Sequence, residues 1–360
     1  MKITIKDIAK KCDVSIGTVS KILNEKYKYD NIKISQETIA RVKKVAKEMN
    51  YEPNYAGRLL STGKTNTIGI YIPKSREKNF HFGHYYSSII DSIEKSAVKS
   101  GYDILLINYD SYIHKFSSRR IDGLIIIEQW EMDDELGTLV QEGWPFVIIN
   151  NLLEEPYNLH AVNIDNNYAM HEIVKYFKNN NHQNLAFIEE LIPVPQREHK
   201  LRFKYFVYHL QAEGLPVYQD LFLISEKGNF TPRIEEENYD QLSGYYGMEY
   251  LLDKFQGQFT GVFCANDLIA LGALNYLYES GIKVPNEMSI IGFDDLDFSK
   301  SLVHGLTTVR QPFAKLGQEA FLLLTKIMKG QTNSANSIVR IKPELIIRNT
   351  VSQLEPVFKQ

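Results

Sequence analysis

From Thr67 onward the chain alternates short apolar runs with amphipathic stretches, and this alternation limits its fold more than any other feature. Runs of strand length lie at 67–72, 104–107, 124–127, 146–149, 185–188, 262–265 and 289–292. Between them come stretches with helical spacing of apolar residues, such as 86–100, 168–180, 199–213 and 268–280. A strand with apolar residues on both faces is buried on both, and strands that alternate with helices pair in parallel through right-handed crossovers. The pattern is long enough for one large sheet or two smaller ones. There is no exact repeat and no low-complexity segment.

The first fifty residues follow a different rule. They read as three short helices. Thr4 caps the first, with Asp7 three residues on as the acid of a capping box, and Ile5, Ile8 and Ala9 form its apolar stripe. A tight turn at Cys12-Asp13-Val14 leads to a second helix capped by Ser15, with Val19, Ile22 and Leu23 facing inward. Ser35 caps a third, in which Ile39, Val42, Val45, Ala46 and Met49 share one face. After Pro53, the stretch to Gly63 has room for only about two helical turns, too few to be stable alone in water.

Charge divides at the same place. Residues 1–64 hold fourteen Lys/Arg against seven Asp/Glu, a balance of +7; since the whole 360-residue chain carries −3, the remainder carries −10. A basic head on an acidic body is the electrostatic footprint expected of a nucleic-acid reader joined to something else. No run approaches the roughly 18 apolar residues of a membrane-spanning helix. The N-terminus lacks the apolar core of a secretory signal, and Cys12 and Cys264 have no metal or redox spacing. These features predict a cytoplasmic protein with no membrane partner.

Several chemical motifs fail on inspection. Gly63-Lys64-Thr65 lacks the earlier glycine of a phosphate loop, because position 58 is Arg58. His81 and His84 have no further ligand nearby, so no metal site is expected. No nucleophile elbow is present. Asp294 and Asp295 are neighbours, and in extended chain they point to opposite faces rather than forming an acid–base pair. No catalytic residue and no cofactor is expected, and the chain reads as a regulator rather than an enzyme.

The segments Thr4-Ile5-Lys6-Asp7-Ile8-Ala9 and Val14-Ser15-Ile16-Gly17-Thr18-Val19-Ser20-Lys21-Ile22-Leu23-Asn24 match a helix-turn-helix, and they resemble the head of the LacI/GalR family of transcriptional regulators. Asn50-Tyr51-Glu52-Pro53-Asn54 is similar to that family's entry to its hinge, and further matches run through the last third of the chain. The second helix of such a unit enters the major groove with its first residues on the bases. This nominates Ile16, Gly17 and Lys21 for base edges; Ser15, Thr18 and Ser20 suit phosphates. The resemblance adds Asn54 and Leu60, the latter as an apolar wedge in the minor groove. Two departures stand out. Cys12-Asp13 occupies a turn where the family often has small residues or glycine. The 25–34 connection is long and reads as a surface loop, with one of Lys26, Lys28 and Lys33 reaching a phosphate.

The remainder resembles the periplasmic-binding-protein-like core of the same family. The architecture implied is an all-α helix-turn-helix head over 1–50 and a hinge helix over 51–65. A two-subdomain, parallel-sheet α/β core follows over 66–350, with subdomains of about 66–163 with 311–340 and 164–310 with 341–350. The best matches are 265–272, 290–295 and 306–312. By this resemblance Asp294 and Arg202 bind a small effector, although Tyr205 replaces the family's glycine after that arginine. Asn266, Gln311 and Asn150 supply amides, and Tyr239 and Phe313 supply ring faces. Charged and amide groups with aromatics suit a sugar. His84-Tyr85-Tyr86 is similar to the galactoside-operon branch. The resemblance further implies a repressor of a sugar-utilisation operon that binds double-stranded operator DNA as a homodimer. The tail 351–360 has no leucine heptad to tie dimers into a tetramer.

Overall fold

A computed structural model describes residues 3–23, 34–51, 63–72, 84–107, 111–129, 133–151, 159–191, 198–224, 239–302, 304–332 and 337–355, with backbone only at 84, 129, 151, 198–200 and 239. Two units separate along the chain: residues 1–66 with 118–122, and the rest.

The head has three helices, α1 (Ile5–Cys12), α2 (Ile16–Leu23) and α3 (Gln36–Glu48). Each starts where a side chain satisfies amides that the helix leaves open. The Asp7 carboxylate accepts both the Thr4 N–H (2.8 Å) and the Thr4 hydroxyl (2.7 Å). Ser15 Oγ accepts the Thr18 N–H, and Ser35 Oγ accepts the Thr38 N–H. Asp13 makes the turn in the left-handed region (φ 49°), a conformation that aspartate tolerates better than most residues. Ile8, Val19, Ile22 and Val42 close a small core with no exposure.

The second unit holds two six-stranded sheets. The first runs β11 (Ile338–Ile341), β5 (Ala161–Ile164), β4 (Phe146–Asn151), β3 (Gly123–Gln129), β1 (Thr67–Tyr71), β2 (Asp103–Ile107), parallel throughout. The second runs β12 (Glu344–Ile346), β10 (Thr307–Arg310), β9 (Ser289–Asp294), β8 (Gly261–Cys264), β6 (Leu185–Ile188), β7 (Phe222–Leu223). There β12 is antiparallel to β10 and the other pairs are parallel. Leu124–Ile127, Val147–Ile149 and Val262–Cys264 are wholly buried, which is why these strands are continuous apolar runs instead of alternating ones.

Helices cover the sheets. The first carries α4 (His84–Lys99), α5 (Tyr112–Ser117), α6 (Asp134–Glu142) and α11 (Phe313–Met328). The second carries α7 (Asn166–Asn179), α8 (Glu198–Ala212), α9 (Tyr239–Phe255) and α10 (Asp267–Glu279). The chain therefore passes between sheets three times: after β5, after β10, and between β11 and β12. The first and third passages are tied by the Asp165 N–H donating to the Ile341 carbonyl at 2.9 Å. Among the described residues no helix is long and apolar enough to cross a membrane.

The cap on α1 makes the head sensitive to acid. The Thr4 hydroxyl and N–H hold the Asp7 carboxyl below the usual carboxylate range. A depressed carboxyl stabilises the fold above its unfolded value, and that contribution is lost as pH falls through the folded value. Asp7→Asn should lower the melting temperature of the head at neutral pH, but leave it almost unchanged at a pH where Asp7 is already protonated. Melting curves of the two proteins across pH, followed by exchange of the α1 amides, check this; an equal loss at both ends would remove the charge from the account.

Candidate functional site

In the head, α2 presents its first turn outward. Ser15, Ile16 and Gly17 are exposed, and Thr18, Ser20 and Lys21 are half-buried. Ile16 keeps 45% of its surface exposed although it is a large apolar residue. The Ser15 and Thr18 hydroxyls bond each other at 2.9 Å, so the cap and a nominated phosphate contact are one unit. Nothing inside the head requires Gly17 to lack a side chain, because a β-carbon there would meet only Ser15 Oγ, at an ordinary 3.7 Å. Asn54 and Leu60 lie outside the described residues.

The core's polar chemistry gathers where strands end. Asp294 closes β9 with φ 120°, and its Oδ1 accepts the Gln311 side-chain N–H at 2.5 Å. Gln311 follows β10 directly and is 3% exposed; its Oε1 has no hydrogen-bond partner among the described residues. Two residues on, Phe313 begins α11 and meets Tyr85 edge-on at 5.3 Å. The Tyr85 hydroxyl accepts the Asn150 side-chain N–H at 2.7 Å, while Asn150 Oδ1 accepts the Ile164 N–H. Asn150, at the end of β4, is also left-handed (φ 54°). Beside it Tyr86 donates to the buried Glu128 at 2.6 Å.

Arg202 lies on α8, 2% exposed. Its Nη1 donates to the Ala265 carbonyl at 2.6 Å, its Nε to Asn166 Oδ1 at 3.4 Å, and its guanidinium stacks 3.7 Å over the Phe293 ring. It thus binds together the starts of two helices and the end of β9. Asn266 caps α10, its Oδ1 accepting the Ile269 N–H at 2.8 Å. Tyr239 begins α9, and its side chain lies outside the described set.

A cavity of about 430 Å³ is lined by Asp294, Gln311 and Phe313, with Ser88, Pro312, Ala314 and the charged Asp295, Asp297, Lys300, Arg310 and Arg348. Three of the seven nominated effector residues therefore share one cavity. Arg202, Asn266 and Asn150 are not among the lining residues; Arg202 stacks on Phe293, the chain neighbour of Asp294, and Asn150 bonds Tyr85, which meets Phe313. Asp294 (φ 120°) and Asp295 (φ 57°) are not in extended chain, and both line the cavity. Asp295 accepts from Arg310 Nε at 2.7 Å and Arg348 Nη2 at 2.5 Å. Tyr85, Asn166 and the Asp295 arginine pair were not nominated as site residues, since only the fold brings them together.

In chemical terms the cavity offers two adjacent acceptors, a carboxylate and an amide oxygen, beside an aromatic ring. Nothing there pairs a nucleophile with a base. Burial pushes the Cys264 thiol up, away from the thiolate form that reacts.

Comparison with known proteins agrees with this layout. Residues 4–54 match the family model described as bacterial regulatory proteins, lacI family. Residues 65–224 match periplasmic binding proteins and sugar binding domain of LacI family, and residues 174–351 a periplasmic binding protein-like domain. The repressor PurR of Histophilus somni is 30% identical, over 98% of this chain and 99% of that protein. A Lac repressor dimer structure bound to operator and an anti-inducer superposes with TM-score 0.74 at 22% identity, over 98% of this chain and all of that one. A CelR–cellobiose complex superposes at 0.66 with 24% identity, over 97% and 100%. At these identities the two structures speak for the fold alone.

These matches define a transcriptional repressor rather than an enzyme. The chain belongs to the LacI family of bacterial regulatory proteins.

Gly17 offers a test of the head. An alanine fits the free head and should stabilise α2 by about 0.5–1 kcal/mol. If the groove approaches Gly17 closely, the same change should weaken DNA binding. Melting curves and gel shifts on the full-length variant separate the two effects; a variant that melts higher and binds as well as wild type would take Gly17 out of the interface.

Proposed function

We propose that this protein represses a sugar-utilisation operon as a homodimer on operator DNA, and that a sugar in the core cavity controls its grip. In this reading the head over 1–50 reads the operator and the hinge over 51–65 connects it to the core. Ile16, Gly17 and Lys21 meet base edges; Ser15, Thr18 and Ser20 meet phosphates; Asn54 and Leu60 act from the hinge. Asp294, Gln311 and Phe313 hold the effector, with Arg202, Asn266, Asn150 and Tyr239 around them. The observation that carries the effector reading is Gln311. It is buried, its Nε2 is committed to Asp294, and its Oε1 waits for a donor. A buried acceptor left open costs free energy that a ligand hydroxyl recovers. The Gln311 oxygen lies beside the Asp294 carboxylate, a pairing that suits a sugar hydroxyl, and the Phe313 ring suits the C–H face of a pyranose. A galactoside is our first choice within this class, on the His84-Tyr85-Tyr86 segment.

Calorimetry of the full-length protein against D-galactose, lactose, cellobiose and D-ribose tests this. At least one sugar should bind, and Asp294→Ala should weaken it by about tenfold to a hundredfold, the range for a hydrogen bond to a charged group. Operator binding without sugar should be unchanged. Equal affinity in wild type and variant would remove Asp294 from the site.

For the head, Lys21→Ala should cost roughly 1–3 kcal/mol on a selected operator and relax base preference there. Equal losses on operator and random DNA would confine Lys21 to phosphate.

A further inference from the structure

Asp267 is the first residue of α10 and is completely buried. An aspartate in a helix's first turn ordinarily serves that helix. Here that task falls to Asn266, whose side chain caps α10. Both Asp267 oxygens instead reach other elements. Oδ1 accepts the Thr308 hydroxyl of β10 at 2.5 Å. Oδ2 accepts the Ser299 hydroxyl at 2.6 Å and the Leu296 N–H at 2.8 Å. Gly292 of β9 leaves the space this carboxylate occupies, since a β-carbon there would collide with Oδ1.

The segment so gripped carries unusual backbone. Asp294 (φ 120°) and Asp295 (φ 57°) are consecutive non-glycine residues in the left-handed half of conformational space. Such residues persist only where their surroundings over-determine them. Asp295 is held by Arg310 and Arg348, whereas Leu296 and the turn Asp297–Lys300 are held by Asp267. Asp294, the residue that meets Gln311, sits directly upstream of these anchors.

We propose that Asp267 is a positioning residue: it fixes the turn after β9 in the shape that presents Asp294 to Gln311, and so sets the geometry of the core cavity. The importance of this cavity rests on its reading as the effector site. The group is costly to keep. Burial pushes its carboxyl up to about 6, against the opposing effect of the Ser299, Thr308 and Leu296 donors. An asparagine would fill the same volume at less cost, but its amide nitrogen donates and would oppose one set of those donors.

The test uses full-length protein without sugar. In Asp267→Asn, amide exchange over 294–299 should rise about tenfold or more, as expected for losing hydrogen bonds to a charged acceptor. Exchange in β4 and β6 should stay at wild-type rates. The side-chain amide of Gln311, followed by ¹⁵N NMR, should move towards the position of unbonded glutamine. A role confined to supporting the fold would not move that signal selectively. The double variant Ser299→Ala/Thr308→Val removes two donors from the other side and should shift both readouts in the same direction; it decides the matter should Asp267→Asn not fold. Unchanged exchange over 294–299, or an equal rise across β8, β9 and α10, would overturn the proposal. Since no sugar is present, a positive result beside a failed calorimetric panel would sink the sugar reading and leave Asp267 in its role.

Discussion

In parallel strands buried on both faces polar chemistry gathers where the strands end, and the core is arranged around that constraint. Within Leu124–Ile127 or Val262–Cys264 every side chain is apolar and covered. A polar group there would lack water on either face. At the carboxyl ends the sequence turns polar at once: Glu128 on β3, Asn150 on β4, Asn266 after β8, Asp294 on β9 and Gln311 after β10. Three of these five, Glu128 (φ 63°), Asn150 and Asp294, are also left-handed. An ordinary extended continuation would send the next side chain to the opposite face of the sheet. The left-handed step instead turns the strand end, at a local cost of about 1–3 kcal/mol that packing and hydrogen bonds around it must offset.

What offsets it is visible residue by residue. Asn150 is locked by Tyr85 on one side and the Ile164 amide on the other. Asp294 and Asp295 have Gln311, Arg310 and Arg348. Arg202 plays the same part without lying on a strand: fully desolvated, it satisfies its charge with a carbonyl, an amide oxygen and an aromatic face. Its substitution by lysine would lose the planar stack and the two-nitrogen reach together. These polar groups are thus partnered, and among the described residues the Gln311 oxygen is left open.

The sequence made the strands that are both long and apolar easy to see, and the three head helices, because caps such as Ser15 and Ser35 are local signals. It hid others for physical reasons. β10 reads Thr-Thr-Val-Arg, and its buried threonine hydroxyls find their partners on distant segments: Thr307 accepts the Arg348 N–H and Thr308 donates to Asp267. β11 is half-exposed at an edge and carries no strong pattern. α9 and α11 follow stretches that gave no start signal. Asp294, Gln311 and Phe313, which line one cavity, were singled out through family motifs. The conformation of Asp295 was not legible: the extended-chain reading of an adjacent carboxylate pair lapses once the backbone after β9 is known to turn left-handed.

One consequence concerns the second passage between sheets. Arg310 and Gln311 are adjacent across that passage, and they bond Asp295 and Asp294, which are adjacent at the end of β9. Two side-by-side polar pairs therefore join the ends of β9 and β10, where the chain leaves this half of the core. One pair is complete, with Arg310 also reaching Glu344. The other retains an open acceptor. A ligand that fills it adds its interaction at the point where the chain leaves one half for the other. It can shift the balance between arrangements of the halves only by the difference in its affinity for them.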